Sequence, residues 1–159
     1  AIDKWTEIKE KKPDIQLHMI GGLQTNKVKF AVKLFDYIHS VDSEKLARKI
    51  ADEQLKIHRK IKIFIQVNIG DENKKSGINK NELNKLVSYC KKLDLNVIGF
   101  MCIPPEKTNP TIYFNEMNKL KKNYNFTELS MGMSSDYLKA AKNNATYLRI
   151  GSSIFGQRY

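Results

Sequence analysis

The chain has 159 residues, of which 41% are hydrophobic, and this is enough apolar material for the core of a single domain spanning residues 1–159. It has no run of about twenty apolar residues and its first residues are charged, so neither a membrane span nor a signal peptide is predicted. The formal net charge is +11, but the lysines are spread along the whole chain. That spread disfavours nucleic-acid binding, although a positive field would attract small phosphorylated anions.

Six apolar segments, several of them rich in β-branched residues, predict β-strands. They cover residues 16–21, 37–41, 61–69, 96–103, 127–133 and 146–150. The third contains KIFIQVNI and is apolar at most positions, as expected for a parallel sheet covered by helices.

Helical periods alternate with these strands, because apolar residues recur at the i, i+3, i+4 spacing that places them on one helix face. Asp42 or Ser43 is expected to cap the third helix, and Ser134 or Ser135 the sixth. The predicted apolar stripes are Ile2, Trp5 and Ile8; Val28, Ala31, Val32 and Phe35; Leu46, Ala47, Ile50 and Ala51; Leu83, Leu86, Val87 and Cys90; Tyr113, Met117, Leu120 and Tyr124; and Leu138, Ala141 and Ala145.

The alternation of strands and helices predicts an α/β domain with parallel strands joined by helical crossovers. Periodicity alone does not distinguish an open doubly wound sheet from a barrel. A complete (β/α)8 barrel has about 250 residues, so the length by itself favours the open sheet. In either architecture the ligand is expected beyond the carboxyl ends of the strands.

The two cysteines, Cys90 and Cys102, are too few and too isolated for a disulfide framework or a zinc site. Both fall in apolar patterns, which predicts buried thiols and a cytoplasmic location. The histidines His18 and His39 fall inside apolar strand segments, and His58 follows a helix. No arrangement resembles a metal cluster or a Ser-His-Asp set, so structural or incidental roles are favoured for all three.

The loop after the fifth predicted strand is suited to an anion. Met133, Ser134 and Ser135 follow Gly132 and open a helix, where free backbone N–H groups and hydroxyls suit a phosphate. An ordinary serine cap is the alternative interpretation.

The loop after the sixth predicted strand has a similar character. Arg149 ends the strand, and Gly151, Ser152 and Ser153 can form a concave nest of N–H groups. The alternative is an arginine paired with a carboxylate, followed by a plain turn. Because consecutive parallel strands are expected to be neighbours, the two loops together favour a phosphate site.

These segments resemble, in order, the landmarks of the YggS-like pyridoxal phosphate (PLP) homeostasis proteins. The first landmark, HMIGGLQTNK at residues 18–27, is similar to the family signature HFIGxLQxNK. The others are residues 38–42, 66–69, 75–77, 99–101, 129–136 and 149–156, so the resemblance extends over essentially the whole chain.

The resemblance implies a modified TIM barrel similar to the N-terminal domain of alanine racemase. It also implies a protein that binds PLP and controls vitamin B6 and amino-acid pools, in a family without an established catalytic turnover. It implies that the phosphate rests on the loops after the last two strands, which hold Ser134, Gly151 and Ser152, and that Met133 belongs to the same cofactor-binding site. By analogy with the racemase, Arg149 would face the pyridine nitrogen and discourage its protonation, which weakens the electron sink that many PLP enzymes use.

One part of the family pattern is missing. Family members begin with a strand that carries the cofactor-anchoring lysine in a V-[SA]-K-T-K-like motif, followed by a helix and an FGENYxQE-like strand. Residues 1–15 resemble the tail of that helix, so the six strands would be the third to eighth of an incomplete barrel. The cofactor is therefore expected to be held non-covalently at most, since Lys75 falls in a segment where the family has a loop.

A partial sequence is the favoured explanation, ahead of a split protein or a naturally shorter relative. An incomplete barrel would expose two sheet edges, which favours self-association or completion by a separate N-terminal segment. Two other functions stay open. A PLP-dependent racemase would need a lysine and a proton-transfer partner on opposite faces of the cofactor, and neither occurs at a motif position. The other is a basic module that binds nucleic acid, although the sequence contains no recognised nucleic-acid-binding motif.

Overall fold

Six short strands alternate with helices in the computed structural model, which describes residues 2–73 and 76–156. The strands are β1 (His18–Met19), β2 (Tyr37–Val41), β3 (Lys62–Gln66), β4 (Asn96–Met101), β5 (Glu128–Met133) and β6 (Tyr147–Arg149). The helices are α1 (Ile2–Lys11), α2 (Val28–Leu34), α3 (Glu44–Lys56), α4 (Leu83–Lys92), α5 (Pro110–Asn123), α6 (Tyr137–Lys142) and α7 (Ser152–Phe155). All six predicted strands are confirmed, although most are shorter than predicted.

The strands form one parallel sheet in the sequential order β1-β2-β3-β4-β5-β6. A doubly wound sheet reverses its strand order at a switch point, whereas a (β/α)8 barrel adds each strand beside the one before it. The described sheet is therefore part of a barrel, as the family resemblance implied. The open doubly wound sheet, which chain length alone favoured, is wrong.

Contacts across the sheet show that it is strongly curled. Neighbouring strands lie about 4.8 Å apart, so β2 and β5 would be separated by roughly 14 Å in a flat sheet. Instead His39 on β2 lies 2.8 Å from the hydroxyl of Ser130 on β5. The rings of His18 on β1 and Tyr147 on β6 have centroids 5.8 Å apart. The six strands thus form a half-barrel whose concave face brings its first and last strands together.

The convex face carries the main core, which the helices cover. The α4 residues Leu83, Leu86, Val87 and Cys90 are all buried, as their spacing predicts. They belong to one cluster with strand residues such as Phe100. Burying a side chain of this size contributes about 1.5–3 kcal/mol, so this face supplies most of the hydrophobic stabilisation.

The predicted stripes of α2, α3 and α5 are also confirmed, because their residues lie in or against the same core. Ser43 caps α3, since its Oγ accepts a hydrogen bond from the Leu46 N–H at 3.3 Å. The buried state predicted for Cys90 and Cys102 is confirmed as well. Burial raises the pKa of both thiols to about 12.

One predicted stripe is wrong. On α6, Ala140 is the buried residue, whereas Leu138 is 63% exposed and Ala145 lies beyond the helix end. The helix predicted in the first dozen residues is confirmed as α1, although its Trp5 is 41% exposed. Periodicity identifies an amphipathic helix but does not say whether a neighbour reaches its apolar face.

The predicted cap of α6 also differs. This helix begins at Tyr137 with Asp136 at the cap position, and the two serines before it form a turn. The carboxylate of Asp136 accepts a hydrogen bond from the Met133 N–H at 2.6 Å and so holds that turn against the end of β5. The serines are therefore free of the capping role that sequence reasoning offered them.

A polar clamp joins α1 and the loops at the amino end of the sheet. The carboxylate of Asp36 accepts hydrogen bonds from Lys9 Nζ at 2.8 Å, from the Leu17 N–H at 2.8 Å and from Arg59 at 2.7 Å. Burial alone would raise the pKa of Asp36, but the hydrogen bonds and the two cations outweigh it and lower that pKa. One carboxylate therefore joins α1, the segment before β1 and the segment between α3 and β3.

Candidate functional site

The five residues proposed as a cofactor site lie around one cavity at the carboxyl ends of β5 and β6. The cavity has a volume of about 1010 Å³. Its lining includes Met133, Ser134, Arg149, Gly151 and Ser152. The structure therefore brings the two predicted loops together, as expected for consecutive parallel strands.

The two loops are joined by hydrogen bonds that converge on one oxygen. Ser134 Oγ accepts from the Gly151 N–H at 3.1 Å and from the Ser153 N–H at 3.3 Å. Ser153 Oγ lies 3.5 Å from the Ser134 carbonyl oxygen. An oxygen held by two backbone N–H groups at the start of a short helix occupies the kind of place that an anionic oxygen takes in a nest.

Glycines shape both loops. Gly132 has φ +95°, and a Cβ there would lie 2.5 Å from the Ala140 Cβ, so β5 can reach this turn only with glycine. A Cβ at Gly151 would meet no atom within 4 Å, which shows that its backbone faces open space. Open space for a ligand therefore lies beside the second loop.

Arg149 is buried beneath these loops and is only 8% exposed. Its guanidinium donates to Ser130 Oγ at 2.8 Å and to the carbonyl oxygen of Cys102 at 2.8 Å. Among the described residues no carboxylate forms an ion pair with it, so the alternative of a structural Arg–carboxylate pair is wrong for this part of the chain. Burial lowers the pKa of Arg149, yet a guanidinium remains charged at neutral pH. Its remaining donors are available to the cavity that it lines.

The sequence favoured structural or incidental roles for His18 and His39, and the structure places both histidines in one hydrogen-bonded set. His39 Nδ1 lies 2.8 Å from Ser130 Oγ, and His39 Nε2 lies 3.0 Å from His18 Nδ1. Both histidines line the same cavity as Arg149. Their positions on β1 and β2 would have suggested a shared inward face only once the barrel register was known.

The environment disfavours a positive charge on both rings. Burial, with the nearby His18 and Arg149, lowers the pKa of His39 to about 3. Burial also lowers the pKa of His18, with Asp36 acting in the opposite direction and Lys62 in the same one. The His18 ring stacks on Tyr37 with centroids 4.0 Å apart and planes only 8° from parallel. The concave face thus holds a neutral, orientated pair of imidazoles.

The described lining of this cavity contains no lysine, and Lys75 lies outside the described residues. Lys27 lines a neighbouring cavity of about 710 Å³ beside β1. Within residues 2–73 and 76–156, no group of three or more His, Cys, Asp or Glu side chains could hold a metal ion. No helix of that part is long and apolar enough to cross a membrane. The chemistry of the site is therefore that of hydrogen-bond donors and one cation.

Comparison with known proteins gives the family. The model of the alanine racemase N-terminal domain matches residues 2–159. The pyridoxal phosphate homeostasis protein of Aquifex aeolicus (strain VF5) is 38% identical over 155 aligned residues, covering 91% of this chain and 68% of that protein. The protein of the same name from Vibrio alginolyticus is 33% identical over 169 aligned residues, covering 99% and 72%. The chain belongs to the alanine racemase N-terminal domain family.

A solved structure supports the same relationship. PipY of Synechococcus elongatus PCC7942, with PLP bound, superposes with a TM-score of 0.87 at 29% sequence identity. The match covers 98% of this chain and 79% of PipY. The predicted resemblance to the PLP homeostasis proteins is thus confirmed, and so is the incomplete barrel-like fold.

Proposed function

We propose that this chain binds pyridoxal 5′-phosphate in the cavity above β5 and β6 and serves PLP homeostasis. The observation that carries the proposal is the convergence of the Gly151 and Ser153 N–H groups on a single oxygen, Ser134 Oγ, beside the buried Arg149. The names of the curated relatives and the PLP-bound PipY structure point to the same ligand.

The residues present fit a phosphate ester attached to a pyridine ring. A phosphate oxygen would take the place of Ser134 Oγ as acceptor for the two N–H groups, while the Ser134 and Ser152 hydroxyls donate to it. Met133 is 37% exposed at the cavity and offers a flexible apolar side chain for a ring to rest on. When bound, the cofactor supplies an aldehyde and an electron-withdrawing ring.

Arg149 is expected to face the pyridine nitrogen of the cofactor. Its permanently charged guanidinium would donate to that nitrogen and disfavour protonation there. The unprotonated ring is a weaker electron sink, which fits storage or transfer of the cofactor more than amino-acid chemistry. Ser130 and the Cys102 carbonyl hold the guanidinium in place. The racemase shares this arginine by analogy, so it is the lack of a lysine in the described cavity lining, and not Arg149, that disfavours the racemase alternative.

Binding is tested by the thermal unfolding of the chain with and without PLP, since a ligand that binds only the folded state raises its stability. We expect Ser134→Ala and Arg149→Ala to lower the affinity by about tenfold or more, the size of one charge-assisted hydrogen bond. Arg48→Ala is the matched control, because Arg48 on α3 bonds to Tyr89, at a place remote from the cavity. Equal loss in Arg48→Ala and Arg149→Ala would show that only overall charge attracts PLP.

The mode of attachment needs a separate test. Reduction of the PLP complex with borohydride, followed by mass spectrometry, would reveal any lysine that bonds to the aldehyde. Reversible protection without a specific adduct is the expected result. A single modified lysine would contradict non-covalent binding, and Lys75 would be the first residue to replace. The cytoplasmic location, the absence of a nucleic-acid role and the single-domain organisation stay predictions.

A further inference from the structure

A continuous chain of hydrogen bonds runs across the concave face from β6 to β1. It starts at Arg149, passes through Ser130 Oγ at 2.8 Å and His39 Nδ1 at 2.8 Å, and leaves His39 Nε2 for His18 Nδ1 at 3.0 Å. Ser130 and His39 are 0% and 1% exposed. Every polar atom in the middle of the chain must therefore find its partner within the protein.

The direction of the chain follows from counting donors. A guanidinium has no acceptor, so Arg149 must donate to Ser130 Oγ. The hydroxyl proton of Ser130 then has His39 Nδ1 as its acceptor among the described residues. The reverse arrangement would leave a buried O–H without a partner, which costs about 1–3 kcal/mol. His39 Nδ1 is consequently the acceptor.

The tautomers of both rings follow in turn. A neutral imidazole that accepts at Nδ1 carries its proton at Nε2, so His39 donates from Nε2 to His18 Nδ1. His18 then carries its own proton at Nε2. Its ring is fixed by stacking on Tyr37 at 4.0 Å. The guanidinium of Arg149 thereby determines which ring nitrogen carries the proton in His18, on the opposite edge of the half-barrel.

The Nε2–H of His18 has no partner among the described residues, and it is not buried. Ser40 Oγ is the one buried side-chain nitrogen or oxygen in the described part of the chain that lacks a partner. His18 lines both the cavity above β5 and β6 and the neighbouring cavity beside β1. A donor of fixed direction is thus presented at the boundary of the two cavities.

We propose that Arg149, Ser130 and His39 fix His18 as an Nε2–H donor that binds an anionic oxygen carried on the ring of the ligand. For PLP, and therefore resting on the function proposed above, that oxygen is the ring phenolate. Ser130 and His39 are positioning residues, and His18 contacts the ligand. The two loops above β5 and β6 would bind the phosphate ester of the ligand, and His18 would bind the oxygen on its ring.

The tautomers are tested without ligand, by nitrogen-15 NMR of the histidine rings in the full chain. We expect the Nε2–H form at His18 and His39, with His58, which lies outside the chain of hydrogen bonds, as the internal control. Ser130→Ala removes the hydroxyl that accepts from Arg149 and donates to His39, so His39 should no longer keep a single tautomer. Ser130→Thr keeps a hydroxyl and should restore the single tautomer. An Nδ1–H form at either ring of the wild type would overturn the relay.

The ligand contact is tested by comparing PLP with its 3-deoxy analogue, which lacks the ring oxygen. His18→Ala should weaken PLP about tenfold and the analogue by less than twofold, and His18→Gln, which keeps an N–H donor, should recover part of the loss. Equal effects on both ligands, or no effect on either, would overturn the contact. If the wild type binds neither ligand, the proposed function and the contact both fail, while the ring tautomers still decide the relay.

Discussion

The two faces of the sheet have different chemistry, although the same six strands supply both. The convex face packs apolar side chains against helices and excludes water. The concave face has a smaller apolar cluster around Phe64 and, next to it, the hydrogen-bonded set from Arg149 to His18. Apolar packing is concentrated on the first face, and the proposed ligand chemistry lies on the second. The same protein can therefore be altered on one face with little consequence for the other.

The largest effect is expected on the convex face. Phe100→Ala removes a fully buried ring that lies edge-on to Tyr124 and Phe126, with centroids 5.4 and 5.0 Å away. Loss of a buried phenylalanine costs about 3–5 kcal/mol of unfolding free energy. Denaturant unfolding would measure it, and the ring tautomers of the remaining folded protein should be unchanged. Altered tautomers would show that the two faces are coupled.

The concave face should make stability depend on pH. The pKa of His39 is about 3 in the folded chain, chiefly because of burial, and about 6.5 when unfolded. As pH falls, His39 is protonated in the unfolded chain before it is protonated in the folded chain. The contribution of neutral His39 to the free energy of unfolding is therefore complete above pH 6.5 and is lost as pH falls toward 3. We expect a loss of about 2 kcal/mol between pH 7 and pH 5, absent in His39→Asn. An unchanged slope in that variant would contradict the assignment.

A smaller effect is expected from the clamp at the amino end of the sheet. Asp36→Asn keeps the shape but removes the charge that Lys9 and Arg59 share, for a loss of about 1–2 kcal/mol at pH 7. Because the folded pKa of Asp36 is lowered, the difference from wild type should vanish as pH falls through it. Asp94→Asn is the control, since its partner Lys60 forms an exposed ion pair. Equal losses in both variants would contradict a special role for the clamp.

The smallest effect is expected at Leu138, which the periodicity of α6 placed in the core. It is 63% exposed, so Leu138→Ser should change the unfolding free energy by no more than about 0.5 kcal/mol. Denaturant unfolding measures this, with Ala140→Ser, on the buried side of the same helix, as the contrasting variant. A large loss in Leu138→Ser would mean that a further element covers this helix.

The sequence identified the two loops of the candidate site because its signals are local. Gly132, Ser134, Gly151 and Ser152 lie at strand ends, where a glycine and a hydroxyl next to a helix start already indicate an anion. The apolar stripe from Leu83 to Cys90 is also a local signal, because the helical spacing of apolar residues within one short segment is enough to recognise it. What these patterns lack is any information on the partner that each one meets.

By itself, then, the sequence determined the α/β alternation, the places of the strands along the chain, the family resemblance and the two loops above β5 and β6. Only the tertiary structure decided that Arg149, Ser130, His39 and His18 form one chain, because β2 and β5 meet only through the curl of the sheet. It also decided that Leu138 is exposed. The physical reason is common to both: a residue's period along its own strand or helix fixes the direction of its side chain, whereas long-range packing fixes what that side chain reaches.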